Sequence, residues 1–253
     1  MKINSTLVAI ACLIIYLVLA FSGCSELKAQ PAEGTAFTGD VRAEMTEQRE
    51  RFPFNRVWFS KDYRQRRDYF TKLVVPPVNT AYLSEMGWWQ KQSVKNQETL
   101  AQDTKKLSEF ARATVTNAFQ NDPNHRYTVV SEAGPKTLVL QLAITEIIPS
   151  KAWLNSAATV AGFFVPGAGL LSMTGTGSCA LEGRLVDGEN GKLLGAFADR
   201  EEDKTALANF QVYTFYGGAE ESIKDWANQF VELANTPVNV EVSDSSPIKL
   251  LRW

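Results

Sequence analysis

The pattern of apolar and polar positions along the chain predicts two amphipathic helices. In residues 98–119, apolar side chains recur every three or four positions, and charged or amide side chains fill the opposite face. A second stripe of this kind begins near Gly218 and is ended by Pro237. Both helices are therefore expected to lie with one face on a shared core.

Shorter apolar runs, bounded by turn residues, predict strands. In residues 137–148 apolar side chains alternate, so one face of that strand should be buried and the other less so. The five residues 187–191 contain two glycines and predict a hairpin turn, and the charged residues 199–204 predict a loop. The predicted strands are 72–78, 126–131, 137–148, 178–186 and 192–199, with 238–242 as a candidate last strand.

Two helices against one antiparallel or mixed sheet predict an α+β fold, a two-layer sandwich. The uncharged, glycine-rich residues 155–177 interrupt this order, and they are too short and too broken by Pro166 to cross a bilayer as a helix. One interpretation is an inserted apolar hairpin that touches the membrane or another subunit, and the alternative is a loop folded over its own core. The side chains that would make the contact are Val160, Phe163, Phe164, Val165, Leu170 and Leu171.

The first residues have the order of a secretory signal peptide. Lys2 supplies the positive charge, and an unbroken apolar run over 7–20 is followed by small residues and Cys24. This end resembles the lipobox of bacterial lipoproteins. The resemblance implies cleavage after residue 23, lipidation of Cys24, and, because neutral Ser25 follows, export to the outer membrane. Residues 24–50 are then expected to form the anchor and a flexible tether, and 51–253 a single domain.

Basic and aromatic residues are concentrated in residues 51–72. Seven Lys or Arg stand there against two Asp, among seven aromatic side chains. One interpretation is a surface for an anionic partner such as a lipid headgroup or an envelope polysaccharide. The alternative is that the aromatic rings pack on the domain while the charges face solvent.

Composition and charge narrow the possible functions. With 45% hydrophobic residues the chain can bury a sizeable core, and a net charge of −2 gives no case for nucleic-acid binding. The sole histidine, His125, falls in a predicted exposed turn, and Cys179 is expected to be a buried apolar side chain. No motif for a metal or a cofactor is present, so none is expected.

Four segments together resemble a family of bacterial lipoproteins, domain of unknown function 3313. They are Val74-Val75-Pro76-Pro77-Val78-Asn79-Thr80, the strand 138–148 with Pro149-Ser150, the turn and strand 187–194, and Trp226-Ala227-Asn228-Gln229-Phe230. The resemblance covers roughly residues 52–235. It implies no activity and no catalytic residues.

These observations predict a non-enzymatic lipoprotein of the outer membrane, anchored through lipidated Cys24 and facing the periplasm or the cell surface. It would act as a binding or assembly module, with an envelope protein or a second copy of itself as partner. An alternative is a carrier of lipid or glycan that uses residues 51–72. The third hypothesis is an enzyme that acts on an envelope polymer through carboxylates near Glu201.

Overall fold

The computed structural model describes residues 29–48, 51–149, 177–202, 216–237 and 240–244. Within these ranges, six strands form one mixed sheet in the order β1-β6-β5-β4-β2-β3. The strands are β1 Arg56–Phe59, β2 Lys72–Val74, β3 Thr128–Val129, β4 Thr137–Ile148, β5 Ser178–Asp187 and β6 Leu193–Glu202. The α-helices are α1 Lys61–Arg66, α2 Gly87–Gln90, α3 Val94–Gln120 and α4 Gly217–Asn235.

The centre of the sheet is an antiparallel meander of β4, β5 and β6. Strand β1 adds antiparallel to β6, whereas β2 is parallel to both β4 and β3. The β4–β5 register runs from the pair Leu138–Asp187 to the pair Ile148–Ser178, with a bulge after Ile144. The predicted hairpin at 187–191 is confirmed, because its turn joins β5 to β6.

Helices α3 and α4 form the second layer, which confirms the α+β sandwich. The Ser93 side chain caps α3 by accepting a hydrogen bond from the Asn96 N–H. The apolar stripes of both helices join one core with the helix-facing side chains of the sheet. Burial of these stripes, rather than intrinsic propensity, supplies most of the stability of such helices.

The other face of the sheet is covered by residues 29–48, where the sequence predicted a flexible tether. Val41 and Met45 pack on Ala196 of β6. Thr46 then pairs with Val57 and extends the β1 edge. Strand β4 is buried on both faces, which differs from the less buried second face that its alternating pattern predicted. The predicted tether lacked a strong apolar pattern because only scattered side chains make this contact.

The sheet differs from the predicted strands in several places. Strand β2 ends at Val74 rather than at residue 78, and β3 spans only Thr128–Val129 of the predicted strand 126–131. Residues 199–202 were expected in a charged loop but continue β6, where they pair with β5 as far as Glu202 opposite Ser178. Asp199 also accepts hydrogen bonds from the Asn55 N–H at 2.9 Å and the Trp226 indole N–H at 2.8 Å. Strand β1 was not predicted, since its four residues are too few to show a pattern. It is held by its pairing with β6.

None of the helices in the described ranges combines the length and the apolar character that a bilayer crossing requires. The uncharged residues 155–176 lie outside the described ranges, as does Cys24. Residues 240–244 have no strand conformation, and residues 238–239 of the candidate last strand are outside the description.

Candidate functional site

An apolar cavity of about 120 Å³ lies between the sheet and the C-terminal ends of α3 and α4. Its floor is formed by Leu73 of β2, Leu138 and Leu140 of β4, Leu185 of β5 and Phe197 of β6. These residues come from four neighbouring strands and point to the helix side, because side chains alternate between the two faces of a sheet. The cavity therefore opens within the main core layer.

Aromatic rings form much of the wall. The rings of Phe54 and Phe197 stack with their centroids 4.7 Å apart, and Phe230 of α4 closes the group at 5.7 Å from Phe54 and 5.3 Å from Phe197. Contacts of this kind stabilise beyond simple burial by about 0.5–1.5 kcal/mol each. The rings therefore give the cavity a rigid side.

A second aromatic row leads from the wall towards α1. Phe59 lies 5.3 Å from Phe52 and stacks on Tyr63 at 5.4 Å. All three rings line the cavity. Each is partly exposed, so this row lies closer to solvent than the Phe54 group.

The lining residues that are exposed mark the mouth of the cavity. They are Arg51, Arg64, Pro237 and Val240, and Val240 keeps 51% of its surface exposed. The mouth is thus bounded by Arg51 and helix α1 of the 51–72 stretch on one side and by the chain after α4 on the other.

The lining is positively charged and contains no acidic residue within the described ranges. Its charged members are Arg51, Arg64 and Arg67. Arg67 donates hydrogen bonds to the backbone carbonyls of Leu233 at 2.9 Å and Ala234 at 2.6 Å, where it satisfies the C-terminal end of α4. Arg64 is exposed and makes no hydrogen bond or ion pair with the described part of the chain.

Two tyrosine hydroxyls bring polarity to the wall. Burial raises the pKa of Tyr63, and the nearby Arg67 and Arg126 guanidinium groups offset only part of this rise. Burial likewise raises the pKa of Tyr127. Both phenols therefore remain neutral hydrogen-bonding groups at physiological pH, and the positive charge of the arginines is not cancelled.

The structure places aromatic rings of the basic and aromatic stretch 51–72 in the wall of the cavity. Phe52, Phe54, Phe59 and Tyr63 line the cavity, so these rings pack on the domain as the second interpretation predicted. Three of the arginines nevertheless stand at the cavity. The stretch thus supplies one wall and the charge of the site.

The remaining basic residues of the stretch include one with a clear structural contact. Arg66 forms an ion pair at 3.1 Å with the fully buried carboxylate of Asp187 and lies over the rings of Tyr69 and Phe70. This contact ties α1 to the β5–β6 hairpin, away from the cavity lining.

The other residues singled out in the sequence do not join this site. Cys179 is buried in β5 within the main core, as predicted. His125 is exposed with a φ of 48° in the turn after α3. Cys24 and the six apolar residues Val160, Phe163, Phe164, Val165, Leu170 and Leu171 lie outside the described ranges.

Sequence reasoning missed the opposite wall of the cavity. The residues of this wall belong to the apolar stripes of α3 and α4: Phe119, Phe230, Leu233 and Ala234. The sequence pattern of such a stripe does not distinguish a residue that fills the core from one that borders a cavity. The signal of a site that the sequence did contain was the high proportion of arginine and aromatic residues in 51–72.

The solved structures that are similar to this chain include two PelC dodecamers from Paraburkholderia phytofirmans. One is a single-residue variant in space group C2, with a TM-score of 0.33 and 11% identity over 64% of this chain and 89% of the other. The second, in space group P6, has a TM-score of 0.34 and 10% identity over 64% and 88%. These scores carry no argument about fold, assembly or function.

A search of curated proteins finds no match. The family described as Protein of unknown function (DUF3313) matches residues 35–230, which include every strand and helix described above except the last turn or so of α4. This match agrees with the resemblance found in the sequence. The chain therefore belongs to the DUF3313 family.

Proposed function

We propose that this protein is a non-enzymatic binding module of the cell envelope, anchored to the outer membrane through lipidated Cys24, which holds an apolar ligand in the cavity between its sheet and helices. The observation that carries the proposal is the cavity itself. A void of this kind among packed side chains forfeits dispersion contacts, so a fold that keeps one open gains stability when a ligand fills it.

The size of the cavity limits what enters it. An engineered cavity of about 150 Å³ lined by Leu, Ile and Phe binds benzene, and the cavity here, at about 120 Å³, is of similar size. Pockets for whole drug-sized ligands are larger, at about 300–1,000 Å³. The ligand therefore inserts the end of an aliphatic chain or a single ring, and the rest of it leaves through the mouth. This favours the carrier alternative of the sequence analysis.

The predicted anchor would place the cavity near a source of acyl chains. Residues 29–48 pack on the sheet, so only the short stretch after Cys24 links the anchor to the folded domain. A fully extended chain rises by about 3.6 Å per residue, which limits the five steps from Cys24 to Ala29 to roughly 18 Å. A lipidated protein of this design stays close to the bilayer surface.

The non-enzymatic part of the proposal is supported by the structural role of Asp199, a buried carboxylate of the predicted acidic cluster. Both oxygens of Asp199 accept hydrogen bonds within the fold, one from the Asn55 N–H and one from the Trp226 indole. A carboxylate held in this way fastens α4 and the segment before β1 to β6. This stabilising role explains why the Asp199 carboxylate is buried without assigning it a catalytic function.

Binding can be tested with 1-octanol as an uncharged aliphatic probe and the Cys24→Ser protein produced without residues 1–23, which carries neither the apolar signal segment nor the acylated thiol and therefore needs no detergent. All described contacts begin at Ala29, so this substitution leaves them in place. Ala234→Leu fills the cavity from α4, and Ala113→Leu, on the exposed face of α3, is the matched control. We expect calorimetry to detect octanol binding to the parent and to the Ala113→Leu variant, and to lose it with Ala234→Leu. Equal binding to all three would contradict the proposal.

The anchor is tested separately in cells. Cys24→Ser should release the protein from the outer-membrane fraction or leave its signal peptide uncleaved, because the substitution removes the thiol that would be acylated. Unchanged retention of the cleaved protein in the membrane fraction would overturn the lipoprotein assignment while leaving the cavity proposal intact.

An assembly role is the second candidate function, and the uncharged residues 155–177 favour it. The partner would be an envelope protein or a second copy of the chain. Deletion of residues 157–171 should then leave a folded protein that no longer cross-links to its partner in intact cells. Cross-linking that is unchanged by the deletion would count against this role.

A further inference from the structure

We propose that the ligand of the cavity is an anionic amphiphile, whose apolar end enters between the sheet and the ends of α3 and α4 while its carboxylate or phosphate head stays at the mouth beside Arg64. This inference rests on the proposed function, because it names the chemistry of the ligand that the same cavity would hold.

The charge of the lining selects the sign of the head. All the charged residues among the lining are arginines, and none is acidic within the described ranges. A cationic head would therefore be repelled by the lining, and a neutral head would form no ion pair with the arginines. The charge of the lining therefore favours a ligand with an anionic head.

Among the three lining arginines, Arg64 is the one without an interaction in the described part of the chain, whereas Arg51 and Arg67 both have one. Arg67 is already engaged by the carbonyls of Leu233 and Ala234, and Arg66 is paired with Asp187 and lies outside the lining. Arg64 is exposed at the mouth and has no partner in the described part of the chain. Its planar guanidinium group matches a carboxylate or a phosphate with two parallel hydrogen bonds.

The floor of the cavity fixes the direction in which the ligand lies. Leu138, Leu140 and Phe197 offer no hydrogen bond from their side chains, so a charge placed among them would lose its hydration without compensation. An aliphatic chain placed there is removed from water, which favours binding further with each buried CH₂ group. The chain therefore points inward and the head outward.

Three probes of equal chain length distinguish the contribution of the apolar chain to the affinity from the contribution of the head group. Calorimetric titration of the Cys24→Ser protein with octanoate, 1-octanol and octylammonium compares a negative, a neutral and a positive head on one chain. We expect octanoate to bind about tenfold more tightly than octanol, the gain of a hydrogen bond to a charged group, and octylammonium to bind most weakly. Added salt should weaken octanoate binding and leave octanol binding nearly unchanged.

Two substitutions on α1 test the assigned arginine. Arg64→Gln should reduce the affinity for octanoate to that for octanol and leave octanol unaffected. Lys61→Gln is the matched control, because Lys61 is an exposed cation of the same helix outside the lining. If octanoate binds no better than octanol, or if Arg64→Gln changes neither affinity, the anionic head is wrong.

The outcomes distinguish this inference from the proposed function. If none of the three probes binds, both fail together. If octanol binds and octanoate has no advantage, the cavity still holds an apolar ligand and only the head is reassigned. Octyl phosphate distinguishes the two sources of the same chemistry: tighter binding than octanoate assigns the phosphate of a lipid, and weaker binding assigns a free fatty acid. Either order supports an anionic amphiphile.

Discussion

The ring of Phe197 lies against the Cα atom of Gly183, its register partner on the neighbouring strand β5. A Cβ atom added at Gly183 would fall inside the contact distance of that ring, so any other residue would displace it. Phe197 also stacks on Phe54 at 4.7 Å and lines the cavity. The missing side chain of one glycine thus allows an aromatic ring to lie over the sheet and form part of the cavity floor.

Gly183→Ala is expected to lower the free energy of unfolding by about 1–3 kcal/mol, the usual cost of overpacking a core. The ring is held on its other sides by Phe54 and Phe230 and has little room to move. Urea denaturation measures the effect. Gly134→Ala is the control, because a Cβ atom there meets nothing within 4 Å. Equal stability of the two variants would show that the ring of Phe197 does not occupy this position.

Glu182 holds the N-terminal segment 29–48 on the sheet. Its carboxylate, 2% exposed, accepts hydrogen bonds from the Thr35 N–H at 2.6 Å and from the hydroxyls of Thr35 and Thr38 at 2.9 Å. Glu182→Ala should cost about 1–3 kcal/mol, because buried donors lose their acceptor. Limited trypsin digestion should then cleave at exposed Arg42 sooner than in the parent.

The control for Glu182 is Glu132→Ala, since Glu132 is exposed and makes no ion pair or hydrogen bond in the described ranges. It should leave both stability and cleavage unchanged. If Glu182→Ala digests at the parental rate, the segment is held by its apolar contacts alone.

Asp122 joins the turn after α3 to the end of α4. Burial acts to raise the pKa of Asp122, but hydrogen bonds from the Asn235 amide and from the backbone N–H groups of Arg126 and Asn124 outweigh it and hold the pKa below 3.8. A lowered pKa stabilises the fold above the unfolded value, and that stability is lost as the pH falls through the folded value.

Asp122→Asn should therefore destabilise the protein at neutral pH by about 1–3 kcal/mol, since an amide replaces one of two accepting oxygens with a donor. The difference from the parent should shrink as the pH falls below 3.8, which denaturation curves at several pH values measure. Asp68→Asn is the control, because the Asp68 side chain is 98% exposed and a surface ion pair contributes little. A difference that did not vary with pH would contradict this assignment.

Glu146 should give the opposite dependence on pH. Burial raises the pKa of Glu146 above 4.5, and the Arg200 guanidinium, 2.9 Å away, offsets this only in part. The protonated carboxyl is thus favoured in the folded protein. Its contribution to the free energy of unfolding is fully present below pH 4.5 and is lost as the pH rises through the raised pKa of the folded state. Glu146→Gln stays uncharged and should remove this loss of stability. A parent and a variant that change in parallel across this range would refute the prediction.

The local elements of the fold were predictable from the sequence, and the long-range ones were not. Three elements depend on patterns among neighbouring residues, and all three are confirmed: the apolar stripe of α3, the strand 137–148 and the hairpin at 187–191. The covering of the second sheet face by residues 29–48 depends on Glu182, about 145 positions away along the chain. No local pattern carries that contact.

The candidate site was predictable on one side only. In one interpretation the arginines and rings of residues 51–72 indicated an anionic partner such as a lipid headgroup or an envelope polysaccharide, and the structure brings Phe52, Phe59, Tyr63 and Arg64 to the cavity. The void itself depends on how the ends of α3 and α4 meet the sheet, which is a matter of packing volume rather than of residue type.

Native mass spectrometry of the Cys24→Ser protein, purified from cells without detergent, tests the binding function most directly. If the cavity holds an apolar ligand, the parent should carry a bound molecule with an aliphatic chain or a ring, and Ala234→Leu, which fills the cavity, should carry none while the Ala113→Leu control keeps it. Two unliganded proteins, or the same ligand on Ala234→Leu as on the parent, would contradict the proposed function.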